Sequence, residues 1–307
     1  MRVQTPQSKV LEKTLRTAQQ SLKKPAWMKI RPPTSTAYTD VKKVLKEKKL
    51  NTVCEEARCP NINECWSTGT ATFMILGDTC TRACRFCMVK SGNPKGKIDP
   101  NEPENLVQAV KIMKLKYAVI TCVTRDDLKD GGAKHFASCV SALKKAHKKL
   151  RIELLISDLN GDTKALQTIL DAAPDVLGHN LETVERLQGE VRDPRANYKK
   201  SLKILGESKR LAPHIYTKTS LMVGLKETEE EIIQTMRDAR ASKVDIITFG
   251  QYLRPSPYHL EIKEYVRPEK FKKYKKVAEE MGFLYCASGP FVRSSYRAGE
   301  NFIASLK

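Results

Sequence analysis

Short apolar runs alternate with amphipathic stretches along most of this chain. The runs are rich in β-branched residues and have the length of buried strands rather than of helices. We predict strands at 73–77, 117–123, 152–156, 176–182, 215–223 and 245–253.

The stretches between these runs carry apolar residues at helical spacing. Thr228 and Glu231 form a capping-box pattern, which predicts that a helix begins there. Pro268 marks another helix start. Two further apolar faces predict helices that pack on a core, and they consist of Leu106, Val107, Val110 and Met113, and of Phe271, Tyr274, Ala278 and Met281.

Six strands that alternate with helices predict parallel β/α units. Six units rather than eight favour an α/β fold of the partial (β/α)6 TIM-like barrel type. Its functional face is expected at the C-terminal ends of the strands.

Composition allows a full core and indicates no membrane span. The chain has 307 residues, of which 40% are hydrophobic. No apolar run reaches the roughly 18–20 residues that cross a bilayer, so we expect a soluble protein with no membrane partner.

Positive charge is concentrated at the start of the chain. The net charge is +20, and residues 1–50 carry thirteen Lys or Arg against three Asp or Glu. Such a basic arm attracts an acidic partner, either nucleic acid or an acidic protein. A solvated surface without a partner is the alternative.

The first 25 residues lack the apolar segment of a secretory signal. We therefore expect a cytoplasmic protein. Because this start is basic and nearly free of acidic residues, a mitochondrial transit peptide is the alternative.

Six of the nine cysteines lie between positions 54 and 87. Disulfides are not expected in a chain without a secretory signal. Cys80, Cys84 and Cys87 directly follow the first predicted strand. Three thiolates on one short loop can hold three irons of a [4Fe–4S] cube and leave the fourth iron open to a cofactor.

This C-x3-C-x2-C spacing after a first strand, with Phe86 before the last cysteine, resembles the radical S-adenosylmethionine (SAM) superfamily. The resemblance implies that the cluster passes one electron to SAM, which splits into methionine and a 5′-deoxyadenosyl radical. A zinc site is the alternative, but zinc sites usually have four ligands in paired C-x2-C knuckles.

A second triad with a different spacing consists of Cys54, Cys59 and Cys65. It predicts a second cluster, which needs a fourth ligand from elsewhere in the chain. The two triads together with Arg-Ser-Ser-Tyr at 293–296 resemble the lipoyl synthase family over about residues 24–298. The resemblance implies that Ser295 is the fourth ligand of this auxiliary [4Fe–4S] cluster.

The resemblance also implies the reaction. Two sulfur atoms are inserted at C6 and C8 of an octanoyl chain linked to a lysine of a lipoyl-carrier domain, either a dehydrogenase-complex E2 or the glycine-cleavage H protein. Two SAM molecules are consumed per lipoyl group, and the auxiliary cluster is the sulfur donor. The implied protein partners are a ferredoxin or flavodoxin reductant and an iron–sulfur carrier that rebuilds the cluster. No nucleic-acid partner is expected.

Several residues near the predicted strand ends are candidates for the SAM pocket. Glycines 131 and 132 would let the backbone approach the methionine moiety, although a plain turn explains them equally well. The remaining candidates are Phe86, Asn180, Glu182, Ser220, Met222 and Gln251.

The domain boundaries follow from these assignments. Residues 1–72 form the basic arm and auxiliary-cluster extension, 73–285 the barrel, and 286–307 the C-terminal extension. Two competing functions are a methylthiotransferase acting on tRNA and a zinc-bound nucleic-acid-binding module. The compact first triad argues against the former, and the six-unit α/β pattern argues against the latter.

Overall fold

A mostly parallel sheet organises the structure. The computed structural model describes residues 23–29, 37–67, 70–295 and 298–305. Its main sheet has eight strands in the order β1-β2-β5-β6-β7-β8-β9-β10, and a two-stranded sheet pairs β3 with β4. The strands are β1 Asn51–Thr52, β2 Thr72–Ile75, β3 Thr79–Cys80, β4 Lys90–Ser91, β5 Tyr117–Cys122, β6 Arg151–Leu155, β7 Val176–Gly178, β8 Tyr216–Val223, β9 Ile246–Gln251 and β10 Tyr285–Gly289.

Helices connect consecutive parallel strands, as right-handed β/α units require. The α-helices are Ala37–Glu47, Val53–Glu56, Ile62–Ser67, Glu102–Ile112, Ala133–Ala146, Thr163–Asp171, Gln188–Val191, Tyr198–Leu211, Glu229–Ala241, Pro268–Glu280 and Ala298–Ser305. Three short 3₁₀ turns lie at Ala26–Met28, Leu159–Gly161 and Glu185–Leu187.

The buried strands and helix starts that the sequence predicts are present in the structure. Every residue of β2 and β9 is buried, because helices cover parallel sheets on the outside. The Thr228 side chain accepts a hydrogen bond from the Glu231 N–H, and the Glu231 carboxylate accepts one from Thr228. Pro268 occupies the first turn of its helix, where its missing N–H is harmless.

All six predicted strands are present, which confirms the predicted partial barrel. Two edge strands were not predicted. The strand β1 runs antiparallel to β2, and β10 extends the parallel sheet beyond β9. The predicted strand at 176–182 ends early at Gly178, and only Glu182 rejoins the sheet through a bridge to Leu221.

The final helix, Ala298–Ser305, packs on the sheet near the strand starts. Phe302 is buried there between Tyr216 and Tyr285, with ring centroids 4.8 and 6.2 Å away. Among the described residues, no helix combines the length and apolar character needed to cross a membrane. Most of the basic arm (1–22 and 30–36) and Tyr296 lie outside the described residues.

Candidate functional site

The second cysteine triad lies in the loop that follows β2. Cys80 ends the short strand β3, and Cys84 and Cys87 follow in a turn closed by a 3.0 Å bond from the Cys87 N–H to the Cys84 carbonyl. All three side chains are half-buried. The loop therefore occupies the C-terminal end of the first parallel strand, where barrel active sites lie.

The three sulfurs lie close enough to influence one another. Burial raises the pKa of Cys87 to about 12, and negative charge on Cys84, Cys80 and Glu182 adds to the rise. Main-chain N–H groups of Arg82 and Asp193 donate to the sulfurs of Cys80 and Cys84 at 3.4 and 3.3 Å. Three clustered thiols with N–H donors fit the thiolate ligation of a [4Fe–4S] cluster.

Arg82 anchors this loop to neighbouring strands. Its buried guanidinium contacts Asp158 after β6 at 2.7 Å and Asp126 after β5 at 3.0 Å. Although burial acts in the opposite direction, these contacts hold the pKa of both carboxyls below the usual range. Paired buried charges with good geometry fix position, because separating them leaves an unpaired charge in the interior.

The loop after β9 holds the same triad from another side. The His259 Nε2 lies 3.0 Å from the Cys87 carbonyl, and the Leu260 N–H donates to the Arg85 carbonyl at 3.2 Å. Phe86, between these contacts, packs against the buried core beneath. The cluster loop is therefore clamped between strand ends and this second loop.

The first triad lies on two short helices joined by a turn. Thr52 caps the helix of Cys54 by accepting a 3.3 Å bond from the Glu55 N–H. Burial raises the pKa of Cys54 to about 11, with a contribution from the neighbouring Cys59. Cys65 lies on the following helix, Ile62–Ser67, which is stacked on Ala37–Glu47 through Trp66 and Tyr38.

Trp66 gives this triad a feature that suits metal ligation. Among the described residues, its buried indole N–H makes no hydrogen bond of regular geometry. Burial raises the pKa of Cys54, and hydrogen bonding from the Trp66 side chain opposes that rise. A buried donor without a well-placed partner is uncommon, and a thiolate at Cys54 would accept its hydrogen bond.

The two triads lie beside the same pair of strands. The strand β1 ends directly before the helix of Cys54 and pairs with β2, which leads into the loop of Cys80. The pairing of β1 with β2 therefore brings the starts of the two cysteine segments to neighbouring strands.

The C-terminal segment reaches the first triad. The Asn61 side chain donates to the Phe291 carbonyl at 2.6 Å, and the charge of Arg293 lowers the pKa of Cys59 against the effect of burial. A Cβ on Gly250 would lie 2.0 Å from the Val292 carbonyl oxygen, so the segment passes directly over the end of β9. Ser295 lies two residues beyond Arg293 and is half-buried.

Several predicted pocket residues do lie together at strand ends. The Asn180 amide donates to the Glu182 carboxylate at 3.0 Å, and burial raises the pKa of Glu182. Ser220 accepts a 2.7 Å bond from Thr248 on β9. Met222, half-buried, packs against the core. Negative charge on Glu182 adds to the effect of burial in raising the pKa of Cys84 and Cys87, so this carboxylate lies near the cluster loop.

Three other predicted pocket residues have structural partners. The Gly131 and Gly132 N–H groups donate within their own turn, and both have positive φ. Gln251 is buried, and its amide bonds to Val223, Tyr252 and Glu264 carbonyls and to the Val266 N–H. Gln251 thus holds the loop after β9, and SAM contacts by these three residues stay predictions.

Sequence reasoning overlooked Arg82, Asp158, Asn61 and His259. Arg82 stands between two motif cysteines and Asp158 follows a predicted strand. Their positions in the sequence could therefore have marked them as residues of the site. Asn61 and His259 had no motif to mark them, because their partners are 230 and 172 residues away.

Comparison with known proteins identifies the family. Family models match the Radical SAM superfamily over residues 74–239 and the N-terminal domain of lipoyl synthase over residues 3–59. The lipoyl synthase of Thermus thermophilus is 53% identical over 284 residues, 92% of this chain and 88% of that protein. That of Marinobacter nauticus is 51% identical, over 91% and 80% of the two chains.

The fold has solved counterparts as well. A crystal structure of methylornithine synthase superposes with a TM-score of 0.55 at 12% identity, covering 81% of this chain and 74% of the other. That likeness concerns the fold alone. The sequence relatives are decisive, and this chain belongs to the lipoyl synthase family of the radical SAM superfamily.

Proposed function

We propose that this chain converts a protein-bound octanoyl-lysine into the lipoyl group by inserting sulfur at C6 and C8. Its cofactors are SAM and [4Fe–4S] clusters, as in the family. The bound clusters and SAM supply the radical and the sulfur, chemistry that no side chain can perform. The substrate is an octanoylated lipoyl-carrier protein.

The observation that carries this proposal is the contact between the C-terminal segment and the first triad. Asn61 and Gly250 together hold residues 291–293 beside Cys59. Ser295 lies two residues further on, and we assign it as the fourth ligand of the auxiliary cluster with Cys54, Cys59 and Cys65. A serine oxygen matches iron less well than a thiolate, which suits a cluster that must release sulfur.

The second triad has a different role in the proposal. Cys80, Cys84 and Cys87 hold the SAM-binding cluster and leave one iron without a protein ligand. Arg82 and His259 keep that loop fixed on the strand ends. Asn180 and Glu182 lie beside it and orient the polar groups of SAM.

Two further partners complete the proposal. A ferredoxin or flavodoxin supplies electrons, and an iron–sulfur carrier rebuilds the auxiliary cluster after each turnover. The E2 and H carrier proteins are both acceptable substrates. A cytoplasmic location is our working assignment.

Product analysis tests the function directly. The purified chain is incubated without oxygen with an octanoyl-lysyl peptide, SAM and dithionite, and the peptide mass is followed. We expect addition of two sulfurs with loss of hydrogen. Iron analysis should give about eight irons per chain, as two four-iron clusters require. A colourless zinc protein that leaves the peptide unchanged would contradict the proposal.

A further inference from the structure

A surface patch lies on the outside of the SAM-cluster loop, formed by the exposed Arg85 and Tyr258 and the half-buried Arg254. Arg85 stands between Cys84 and Cys87, with its side chain exposed. Tyr258 is 98% exposed, which is unusual for an aromatic side chain. We call these three residues the Arg85 surface.

Hydrogen bonds join this surface to a cluster ligand. His259, next to Tyr258, lies 3.0 Å from the Cys87 carbonyl through its Nε2, and its Nδ1 lies 2.8 Å from the Ser256 hydroxyl. The Leu260 N–H binds the Arg85 carbonyl. The segment next to Tyr258 is thus hydrogen-bonded to the main chain of two residues of the cluster loop, Arg85 and Cys87.

The patch is positively charged. The Leu260 N–H donates to the Arg85 carbonyl, and the Arg254 side chain donates to the carbonyl of the preceding residue, His259, at 2.9 Å, so the two arginines flank the same short segment. Burial raises the pKa of Tyr252 to about 12, and the charges of both arginines oppose that rise. Two arginines beside an exposed tyrosine have the composition of an interaction hot spot.

We propose that the Arg85 surface is the docking site of an acidic, low-potential one-electron carrier protein. This inference rests on the proposed function, because splitting SAM consumes an electron that the chain itself does not supply. The carrier loses one electron, and the cluster held by Cys80, Cys84 and Cys87 gains it. Electron transfer slows steeply with distance, so the carrier must dock against the loop that holds Cys80, Cys84 and Cys87.

Binding measurements test the surface without relying on activity. The probe is an acidic flavodoxin, titrated calorimetrically at low salt against the wild type, Arg85→Glu and Tyr258→Ala. We expect about tenfold weaker binding for each variant. Lys148→Glu is the matched control, because Lys148 is equally exposed but lies before β6, at the opposite ends of the strands, and its affinity should equal that of the wild type.

Turnover with two reductants separates docking from chemistry. With reduced flavodoxin, product formation by Arg85→Glu and Tyr258→Ala should fall about tenfold. With dithionite, which needs no docking surface, both should match the wild type. Wild-type affinity and flavodoxin-driven rate in both variants would overturn the inference. If the wild type formed no product with dithionite, the proposed function would be refuted instead. The binding measurements would still test whether the Arg85 surface binds the flavodoxin.

Discussion

The Asn61 side-chain amide donates a 2.6 Å hydrogen bond to the main-chain carbonyl of Phe291, across 230 residues of sequence. Asn61 is 5% exposed and stands between Cys59 and Cys65. The bond therefore ties the segment that carries Ser295 to the helices that carry the first triad. Neither segment could form a four-ligand site by itself.

Asn61→Ala should loosen this attachment. It leaves a partly buried carbonyl without its donor, which costs about 1–3 kcal/mol. We expect reduced iron content and slow sulfur insertion, with SAM cleavage to 5′-deoxyadenosine close to wild type. Equal losses of SAM cleavage and sulfur insertion would show that Asn61 serves the whole fold instead.

Gly250→Ala should displace the same segment from the other side. The new Cβ would lie 2.0 Å from the Val292 carbonyl oxygen, a main-chain atom that cannot move alone. We expect lipoyl product to fall at least about tenfold, the change in rate that a barrier rise of about 1.4 kcal/mol produces, with SAM cleavage retained. Chromatography of 5′-deoxyadenosine and mass spectrometry of the peptide measure the two steps separately.

Gly206→Ala is the matched control for that substitution. Gly206 lies within the helix Tyr198–Leu211, and its nearest neighbouring atoms would be 3.9 Å from an added Cβ. Alanine there should raise stability by up to about 1 kcal/mol through helix propensity and leave both activities unchanged. If both glycine variants behaved alike, the close approach at Gly250 would have no functional meaning.

The fold was predictable where both faces of a strand are buried. Runs such as Tyr117–Cys122 and Ile246–Gln251 are predominantly apolar and β-branched, as is typical of a covered parallel sheet. The strand Tyr285–Gly289 has small and polar residues and is mostly half-buried. Its strand character comes from pairing with β9, a tertiary contact that no local pattern reports.

The site was predictable to a similar extent. The spacing of the cysteines predicted the two triads, because the ligands of one iron–sulfur cluster often lie close together in the sequence. Gln251 was predicted to line the pocket because it lies at the end of a predicted strand. In the structure its amide is hydrogen-bonded to Glu264 and Val266 in the loop after β9. Contacts such as that of His259 with Cys87 depend on loop packing and could not be read from spacing.

Ser295→Ala tests the proposed auxiliary ligand most directly. It should leave SAM cleavage largely intact and abolish most sulfur insertion, because only the first triad depends on this oxygen. Ser295→Cys offers a softer ligand that iron holds more tightly, so we expect a full iron content with slower sulfur release. Normal lipoyl product from Ser295→Ala would show that the ligand assignment is wrong.

Arg82 should prove important for both stability and the SAM-binding triad. Arg82→Met leaves Asp158, whose side chain is fully buried, with only the more distant Lys200, at 3.9 Å, as a charge partner. Removing one member of a buried pair costs about 3–5 kcal/mol. We expect a lower free energy of unfolding in urea and loss of SAM cleavage.

Asparagine substitutions compare the two ion pairs that Arg82 makes with Asp158 and Asp126. Asp158→Asn should destabilise the protein more than Asp126→Asn, because the Asp126 side chain is 15% exposed to solvent and the Asp158 side chain is 0% exposed. Urea unfolding of the two variants, side by side, measures the difference. Equal effects would mean that burial does not set the strength of these contacts.

The exposed lysines of the helix Ala37–Glu47 and the turn after it form a second basic surface. Val41, Val44 and Leu45 face the core, so the lysines point outward. The helix packs on the segment that holds Cys65 through Tyr38 and Trp66, which places this charge beside the proposed sulfur donor. Lipoyl-carrier domains tend to be acidic, and we infer that this surface steers one of them. The exposed lysines are Lys42, Lys43, Lys46 and Lys49, and the half-buried Lys48 lies beside them.

Charge reversal tests this steering. Lys48 bonds to Gln108 and is left unchanged, whereas the other four are replaced by Glu. At low salt, turnover of an octanoylated carrier protein should fall about tenfold or more, since electrostatic attraction accelerates encounter by that order. Added salt should narrow the gap by screening. Turnover of a short octanoyl-lysyl peptide, which lacks the acidic domain, should be unaffected. Unchanged carrier turnover at low salt would refute the steering role, whereas a parallel loss with the peptide would point to damage at the first triad.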